Sequence, residues 1–426
     1  MKLKKSWINS ANDAKSQFPL NNLPYGVFAM PDDDEAGAHC GVAIGDMILD
    51  LTLLEEEGVL VVSNEPVFDL PFWNEFIELG PDAWAALRTR LEDLLAEGGD
   101  DTVSGDADLK SRALIAQSAV EMQLPIVVTE YTDFYASRHH ATNIGTMFRG
   151  AENALPPNWL HIPIGYNGRA SSVVVSGSDV RRPWGQLKSP DQDSPEFLPC
   201  RRFDLELEMG AIVGTASDGP ITVAEADENI FGYVLLNDWS ARDIQAWEYQ
   251  PLGPFQSKAT ATTISPWIVT KAALEPFRCM TPPREVPLLP HLQDVGPMLY
   301  DIDLTVTLAP EGKAATTITR TNYSALYYSA AQQLAHHTTS GCPMNVGDLL
   351  GSGTISGPTK PERGSLQELS WGGKEPLTLE TGESRCFLED GDTLTLYGTA
   401  QGDGYLIGFG ECTGTLLPAL KDPYKR

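Results

Sequence analysis

The sequence lacks any long apolar run: no stretch approaches the roughly 18 residues that a membrane-spanning helix requires. The basic start, Met1–Asp13, also lacks the apolar segment of a secretory signal. Basic residues are scarce throughout, with 30 Lys and Arg against 58 Asp and Glu. The resulting formal charge of −28 disfavours nucleic acid and anionic membranes as partners. We therefore expect a soluble protein in which any anionic substrate needs a locally basic pocket.

Cysteine is sparse, and no CxxC pair occurs. This pattern is typical of free thiols in a reducing compartment, so the cytoplasm is the expected location. Neither the cysteine spacing nor the histidine spacing matches a zinc site. The six cysteines are Cys40, Cys200, Cys279, Cys342, Cys386 and Cys412.

Familiar catalytic motifs are absent as well. There is no GxSxG nucleophile elbow and no GxxxxGK[ST] phosphate loop. The stretches 351–357 and 402–408 have GxGxxxG spacing and open no predicted helix, which argues against a dinucleotide site. Cys342 lies near His336 and His337 in sequence. Without a supporting motif, however, a free cysteine is more often a small buried apolar residue than a nucleophile.

The length of 426 residues predicts two domains. Residues 1–125 read as short strands followed by helices at 82–97 and 109–120. Residues 126–426 are rich in short strands, glycine and proline, which indicates a mainly antiparallel sandwich or roll with few helices. The predicted strands are Pro24–Phe28, a hairpin over Gly41–Asp50, Pro125–Glu130, Ser172–Ser176, Phe231–Leu236, Tyr300–Leu308, Thr316–Thr319, Thr393–Gly398 and Tyr405–Phe409.

The stretch Phe203–Met209 alternates apolar and acidic residues with a period of two. On a strand, Asp204, Glu206 and Glu208 would share one face. Glu206 and Glu208 would then lie ~6–7 Å apart, which is costly for like charges unless a cation lies between them. Two interpretations stay open from this stretch alone. The acids form either a solvated strand face or a set of oxygen ligands for Mg²⁺ or Ca²⁺.

Further polar residues follow predicted strands. The segment Asp133–His140 combines an acid, a phenol, a guanidinium and two imidazoles. A loop after a strand often carries function, although each of these residues also suits a polar turn. A helix is predicted to begin at Asn237–Ser240 with Asp238 or Ser240 as its cap. A plain N-cap is therefore an alternative role for Asp238.

In that helix Arg242, Gln245 and Tyr249 would share one face, a combination that suits binding of an oxyanion. Lys258 lies in a loop rich in glycine, proline and serine, where a lysine is usually solvated. Glu368 is flanked by apolar residues, and desolvation could raise its pKa. Alternatively, Glu368 points outward from an alternating strand.

Together these segments resemble the fumarylacetoacetate hydrolase family in its two-domain form. The resemblance spans nearly the whole chain, from Asn21–Phe28 to Leu416–Leu420. It is most specific in Asp133–Gly150, Phe203–Glu208, Asn237–Gln245 and Gly351–Pro358. It implies a small SH3-like N-terminal barrel followed by a C-terminal β-roll, assembled as a homodimer.

The resemblance also implies roles for individual residues. It assigns Asp133, Glu206, Glu208 and Asp238 as ligands of Mg²⁺ or Ca²⁺, with Lys258 and Thr262 close to the cation. It assigns His140 as the catalytic base and Glu368 as the acid that orients it. Contacts to the oxyanion and the substrate fall on Arg242, Gln245, Lys258, Tyr135, Arg149, Tyr166, Tyr249 and Thr354. One departure is Ala261, where the family has a glycine, and this puts the local loop geometry in question.

The implied reaction is the hydrolysis of a carbon–carbon bond in a dicarboxylic diketo acid, 4-fumarylacetoacetate. The products would be fumarate and acetoacetate, at the last step of tyrosine and phenylalanine breakdown. A related acylpyruvase, decarboxylase, hydratase or tautomerase would share the carboxylate site without needing His140 and Glu368 together. A non-catalytic cation-binding protein on the same fold is the remaining alternative, and turnover of an acylpyruvate would distinguish it.

Overall fold

The computed structural model describes residues 2–31, 37–422 and 424, and most of its regular structure is β. The helices are α1 Leu51–Glu56, α2 Asn74–Glu78, α3 Pro81–Leu95, α4 Ala107–Ala113, α5 Arg138–Arg149, α6 Val223–Asn229, α7 Arg242–Glu248, α8 Lys271–Leu274, α9 Ala330–Thr338 and α10 Leu366–Leu369. None of these helices is long and apolar enough to cross a membrane.

The strands are short and numerous. They are β1 Tyr25–Ala29, β2 Ala38–Ile44, β3 Met47–Asp50, β4 Leu114–Ala116, β5 Glu121–Gln123, β6 Tyr131–Phe134, β7 Gly165–Asn167, β8 Val173–Val175, β9 Val180–Arg181, β10 Trp184–Leu187, β11 Glu196–Pro199, β12 Phe203–Asp204, β13 Leu207–Val213, β14 Ile230–Asp238, β15 Ser240–Ala241, β16 Thr262–Ile264, β17 Val269–Thr270, β18 Arg278–Cys279, β19 Leu299–Tyr300, β20 Asp303–Ala309, β21 Thr316–Asn322, β22 Leu349–Gly351, β23 Leu377–Thr378, β24 Ser384–Arg385, β25 Thr393–Gln401 and β26 Leu406–Leu417.

Three sheets carry the architecture of the described chain. An N-terminal antiparallel sheet has the order β4-β3-β2-β1-β5. A central sheet has the order β7-β6-β22-β13-β14-β16-β8, with β17 paired to β14. A C-terminal sheet has the order β21-β20-β25-β26-β9. Most pairs are antiparallel, and the parallel pairs are β22 with β6, β16 with β8, and β26 with β9.

The central sheet is buried on both faces, as the unbroken apolar sequence of β14 predicts. Tyr233 and Leu235 point into a core shared with Leu396 of the C-terminal sheet. Val234 and Leu236, which alternate with them, join the core beneath the N-terminal sheet. Each face of β14 therefore has its own apolar partner, and neither face is left for water.

Several predicted elements have the expected positions. The hairpin turns at residues 45–46 between β2 and β3, and α3 covers the predicted helix at 82–97 within two residues. The second predicted helix is wrong beyond Ala113, because Leu114–Ala116 pair with β3 instead of continuing α4. The predicted strand Pro125–Glu130 is also wrong, since pairing begins only at Tyr131.

Candidate active site and metal centre

The acidic stretch predicted as one strand is interrupted. β12 pairs with β15 and ends at Asp204, and β13 starts at Leu207 and pairs with β14. Asp204, Glu206 and Glu208 are all buried, with exposed fractions of 0%, 5% and 0%. The solvated-face interpretation is therefore wrong, and each buried carboxylate needs a partner because an unpaired charge in the interior is costly.

Four carboxylates from distant parts of the chain form one cluster. Asp133, Glu206, Glu208 and Asp238 each offer an oxygen, and these oxygens lie within 4.8 Å of one another. The sheet order explains the cluster, because β22 lies between β6 and β13. On β22, Gly351 pairs both with Asp133 and with a residue two positions beyond Glu208. Asp133, Glu208 and Asp238 therefore lie on strands β6, β13 and β14 of one sheet, and Glu206 lies just before β13.

The cluster fits a hard divalent cation. Asp133 Oδ1 and Glu208 Oε1 are buried and find no hydrogen-bond donor in the described chain. A Cβ placed on Gly351 would lie 3.1 Å from Glu208 Oε2 and 3.2 Å from Asp133 Oδ1, so the glycine keeps this space open. Carboxylate oxygens are the ligands that Mg²⁺ and Ca²⁺ prefer.

Burial and neighbouring charges shift the pKa values of the carboxyl groups in the cluster. Burial and the charge of Asp238 raise the pKa of Asp133 well above its ordinary value. Burial and the charge of Asp133 do the same to the pKa of Glu208. For Glu206, burial is outweighed by Lys258 and Arg242, which lower its pKa to about 2. When all four carboxyl groups are ionised, the cluster therefore has more negative charge than Lys258 and Arg242 compensate.

Lys258 lies inside this cluster, so its expected solvation is wrong. Its Nζ donates to Asp238 Oδ2 at 2.6 Å and forms an ion pair with Glu206. Burial alone would lower the pKa of Lys258, but the carboxylates of Asp238 and Glu206 outweigh burial and raise it. Thr262 Oγ1 approaches Asp238 Oδ1 at 3.4 Å, and the Tyr166 hydroxyl donates to Asp238 Oδ2 at 3.3 Å. Both residues thus lie around one carboxylate of the cluster.

Next to the carboxylates lies a buried histidine–glutamate pair. His140 Nδ1 and Glu368 Oε2 are 2.7 Å apart. Glu368 also accepts hydrogen bonds from Asn143 Nδ2 at 2.8 Å and from the hydroxyls of Ser356 and Ser365 at 2.9 Å. Burial would raise the pKa of Glu368, but His140 and these donors outweigh burial and lower it. Glu368 is therefore held as an ionised acceptor.

The elements that carry this pair differ from the expected ones. Asp133 lies on β6, and His140 lies on α5. Ser137 caps α5 by accepting a hydrogen bond from the His140 amide. The loop predicted for the segment Asp133–His140 is therefore wrong. Serine is a common N-cap residue, but the polar composition around Ser137 and His140 is equally typical of a loop. Glu368 lies on α10 and not on an alternating strand.

Arg242 is held from two sides. Its Nε donates to Asp204 Oδ2 at 2.8 Å, and its Nη1 lies 2.7 Å from Glu206 Oε1 and 3.3 Å from Gln245 Oε1. Its Nη2 is buried and has no acceptor among the described residues. The predicted cap of this helix is wrong, because α7 starts at Arg242 after Ala241, and Asp238 is the last residue of β14.

These groups open onto one cavity of about 420 Å³. Its polar wall includes the hydroxyl of Thr354, which has no hydrogen-bond partner among the described residues. It also includes the guanidinium of Arg149, which donates to the Ala154 carbonyl at 2.6 Å. Its apolar wall includes Ile144, Phe148 and Leu252. The predicted site residues that line it are Asp133, Tyr135, His140, Arg149, Tyr166, Glu206, Arg242, Gln245, Tyr249, Lys258 and Thr354. Glu208, Asp238, Thr262 and Glu368 lie behind that lining.

Sequence reasoning missed some residues of the site. Asp204 was noted only as part of an acidic face, and its contact with Arg242 spans 38 positions. Asn143 lies three residues after His140 on α5, so helical spacing could have placed it on the same side. The departure at Ala261 causes no backbone strain. The non-glycine residues with positive φ in the described chain are Leu23 and Trp371.

The fold and the site define an enzyme in which a histidine–glutamate pair faces a carboxylate centre for a divalent cation. Residues 129–416 match the family described as fumarylacetoacetate (FAA) hydrolase C-terminal, and residues 21–125 match fumarylacetoacetase N-terminal. The chain belongs to the fumarylacetoacetate hydrolase family.

Individual relatives are similar over almost their full length. A fumarylacetoacetase of Homo sapiens is 49% identical over 420 residues, which cover 97% of this chain and 99% of the relative. One of Dictyostelium discoideum is 48% identical over 432 residues, covering 99% and 100%. The solved fumarylacetoacetate hydrolase of Exiguobacterium antarcticum has the same fold, with a TM-score of 0.51 at 16% identity, over 93% of this chain and 99% of that one.

Proposed function

We propose that this protein hydrolyses 4-fumarylacetoacetate to fumarate and acetoacetate. One observation carries the proposal: a histidine–glutamate pair, a buried guanidinium with a free donor and the carboxylate cluster all meet at one cavity. Breaking a carbon–carbon bond next to a carbonyl requires a base that activates water, donors for an oxyanion and stabilisation of the departing enolate. This cavity brings together residues suited to all three tasks.

The cation would be held by Asp133, Glu206, Glu208 and Asp238, and their oxygens favour Mg²⁺ or Ca²⁺. A bound divalent cation supplies Lewis-acid stabilisation to the oxygens of the leaving group. Lys258 already offsets part of the negative charge, and Thr262 contacts Asp238 from behind the cavity lining.

His140 is assigned as the general base. Its Nδ1 is engaged by Glu368, which leaves Nε2 as the nitrogen that can take a proton from water. Glu368 orients the imidazole and stabilises its cation after proton transfer. The hydroxide formed attacks the carbonyl carbon, and the oxyanion that results is held by donors of Arg242, Gln245 and Lys258. Collapse of this oxyanion breaks the carbon–carbon bond and releases the leaving carbon as an enolate, and the proton held at His140 Nε2 is then transferred to that carbon.

The dicarboxylate substrate is bound by cationic and phenolic groups around the cavity. Arg149 and Arg242 give an anionic substrate a local positive field inside an acidic protein. Burial and the charge of Asp133 raise the pKa of Tyr166 well above its ordinary value, so its hydroxyl remains a donor. Tyr135, Tyr249 and Thr354 complete the proposed substrate contacts.

The proposal extends to the organisation of the chain. The matched ranges 21–125 and 129–416 support an N-terminal domain over 1–125 and a catalytic domain over 126–426. The antiparallel N-terminal sheet supports the SH3-like barrel, and the central sheet supports the β-roll. The homodimer follows from the resemblance to the family. A cytoplasmic location is supported by the free thiols of the described cysteines.

A direct assay tests the activity. Purified protein is mixed with fumarylacetoacetate, and loss of substrate absorbance is followed with and without a chelator. We expect turnover that stops after chelation and returns with Mg²⁺ or Ca²⁺. No turnover with either cation would refute the proposed activity, and full turnover after complete removal of metal would refute the cation's role.

A further inference from the structure

Asp204 is a buried carboxylate that accepts four donors from three parts of the chain. Its Oδ2 accepts from Arg242 Nε at 2.8 Å and from the Gln367 amide at 3.0 Å. Its Oδ1 accepts from the amides of Leu205 and Leu366, both at 2.8 Å. The side chain is 0% exposed, so every one of these contacts forms away from water.

The contacts of Asp204 join two parts of the proposed machinery. The amides of Leu366 and Gln367 belong to the first turn of α10, which carries Glu368. The Arg242 guanidinium lies on α7, at the other side of the same carboxylate. Through its two oxygens Asp204 therefore fixes the distance between the oxyanion donor and the turn that holds the acid of the histidine–glutamate pair.

Two of the three guanidinium nitrogens of Arg242 already have acceptors in the described chain. Asp204 occupies Nε, and Glu206 and Gln245 occupy Nη1. Nη2 is thereby the nitrogen without an acceptor among the described residues. A planar guanidinium held at Nε and Nη1 cannot rotate, so the free Nη2 donors keep one direction before substrate arrives.

We propose that Asp204 is a positioning residue, which aligns Arg242 with the Glu368-bearing turn for the same transition state. This inference rests on the proposed function of Arg242. Asp204 does not line the cavity and touches neither substrate nor cation in this role. Its contribution passes through the two elements that it joins.

The chain offers a matched control on the same helix. Asp243 is also a carboxylate at the start of α7, and it accepts from the Arg201 amide at 2.7 Å and from Cys200 Sγ at 2.8 Å. In the described chain its carboxylate makes no hydrogen bond to the Arg242 guanidinium, and it does not line the cavity. Asp243→Asn therefore removes a partly buried, hydrogen-bonded carboxylate from the same helix without touching the proposed linkage.

The test compares Asp204→Asn, Arg242→Leu, the double variant and Asp243→Asn. We expect Asp204→Asn to lower kcat/KM by ~10²-fold, mainly through kcat. It should lower the affinity for a phosphinate with tetrahedral phosphorus at the attacked position by a similar factor, because that probe mimics the oxyanion. In the Arg242→Leu background the same substitution should cost no more than about fivefold, because residues acting as a unit are non-additive. An equal loss in both backgrounds would overturn the proposal.

Amide hydrogen exchange of residues 364–371 gives a readout that needs no turnover. Exchange should become faster in Asp204→Asn and stay unchanged in Asp243→Asn, and unchanged exchange in both would contradict the linkage. If wild-type protein shows no hydrolysis, the proposed function fails, and exchange and phosphinate binding still decide this inference. If Asp204→Asn alone does not fold, the double variant removes both charges together. It should then match Arg242→Leu in kcat/KM within about fivefold, and a larger loss would overturn the inference.

Discussion

His140 Nδ1 and Glu368 Oε2 lie 2.7 Å apart, although 228 positions separate the two residues in sequence. Glu368 does not depend on the histidine for its position, because Asn143, Ser356 and Ser365 donate to its carboxylate as well. These donors therefore hold Glu368 in place, and the imidazole of His140 takes its orientation from the Glu368 carboxylate.

His140→Ala should lower kcat/KM by ~10²–10⁴-fold, because it removes the proposed general base. Glu368→Gln should cost a comparable factor while the fold is retained. The double variant should be little worse than His140→Ala, since the two residues act as one unit. The measurement is kcat/KM for all variants at equal metal occupancy.

His139→Ala is the control for the pair. His139 lies on the same helix and does not line the cavity, so its replacement should leave kcat/KM close to that of the wild type. Independent, multiplicative losses for His140 and Glu368, or a larger loss at His139, would show that the base is wrongly assigned.

Arg242→Lys should lower kcat/KM by ~10²-fold or more, because an ammonium cannot reproduce the planar fork that contacts Asp204 and Glu206. Arg278→Lys is a suitable control. That arginine is also paired with carboxylates but lies outside the cavity lining. If Arg242→Lys turned over substrate as fast as the control variant, Arg242 would have only a structural role as an ion-pair partner.

Removal of divalent cations at neutral pH should abolish turnover and lower the melting temperature, because the four buried carboxyl groups then lose the ligand that compensates their charge. Addition of Mg²⁺ or Ca²⁺ should restore both. Elemental analysis before each assay establishes that the cation is absent. A melting temperature that is the same with and without cation would contradict a cation at this cluster.

The gain in melting temperature on adding the cation should increase with pH. Without a cation, the raised pKa values of Asp133 and Glu208 mean that the folded protein keeps protons that the unfolded chain has lost. The contribution of these two groups to stability is therefore full below their ordinary pKa of about 4 and is lost as pH rises through the raised values. A bound cation replaces those protons.

The measurement is a series of melting curves with chelator and with Mg²⁺ between acidic and neutral pH. Calorimetric binding in buffers of different ionisation enthalpy should also show proton release. Glu208→Gln should flatten the pH dependence, because it removes one of the two groups. A gain that is constant over the pH range would contradict the proton exchange.

Sequence patterns recovered the parts of the fold that depend on local order. The unbroken apolar run of β14 predicted burial on two faces, and both cores are present. Local sequence gave the wrong secondary structure where pairing with a distant strand determines it. Asp238 resembled a helix cap because polar residues follow an apolar strand, yet pairing with Thr262 extends β14 through it.

Local sequence likewise indicated only part of the candidate site. The alternation around Glu206 and Glu208 left a solvated face and a cation site both open, and the resemblance to the family favoured the cation. The contact of Asp204 with α10 could not be predicted, since 162 positions separate Asp204 from Leu366. Such contacts depend on how distant segments pack in the folded chain and not on any local period.

The order of strands also sets when the site can exist during protein synthesis. Asp133 leaves the ribosome on β6 well before Glu208 follows on β13, but these two strands are not neighbours. The strand that joins them, β22, is made only at residues 349–351, and Glu368 comes later still. A nascent chain that ends before residue 349 therefore carries all four acids without the element that brings them together. Such a chain lacks the strand that brings Asp133 close to Glu208, so the cluster of four carboxylates can form only after residues 349–351 have been made.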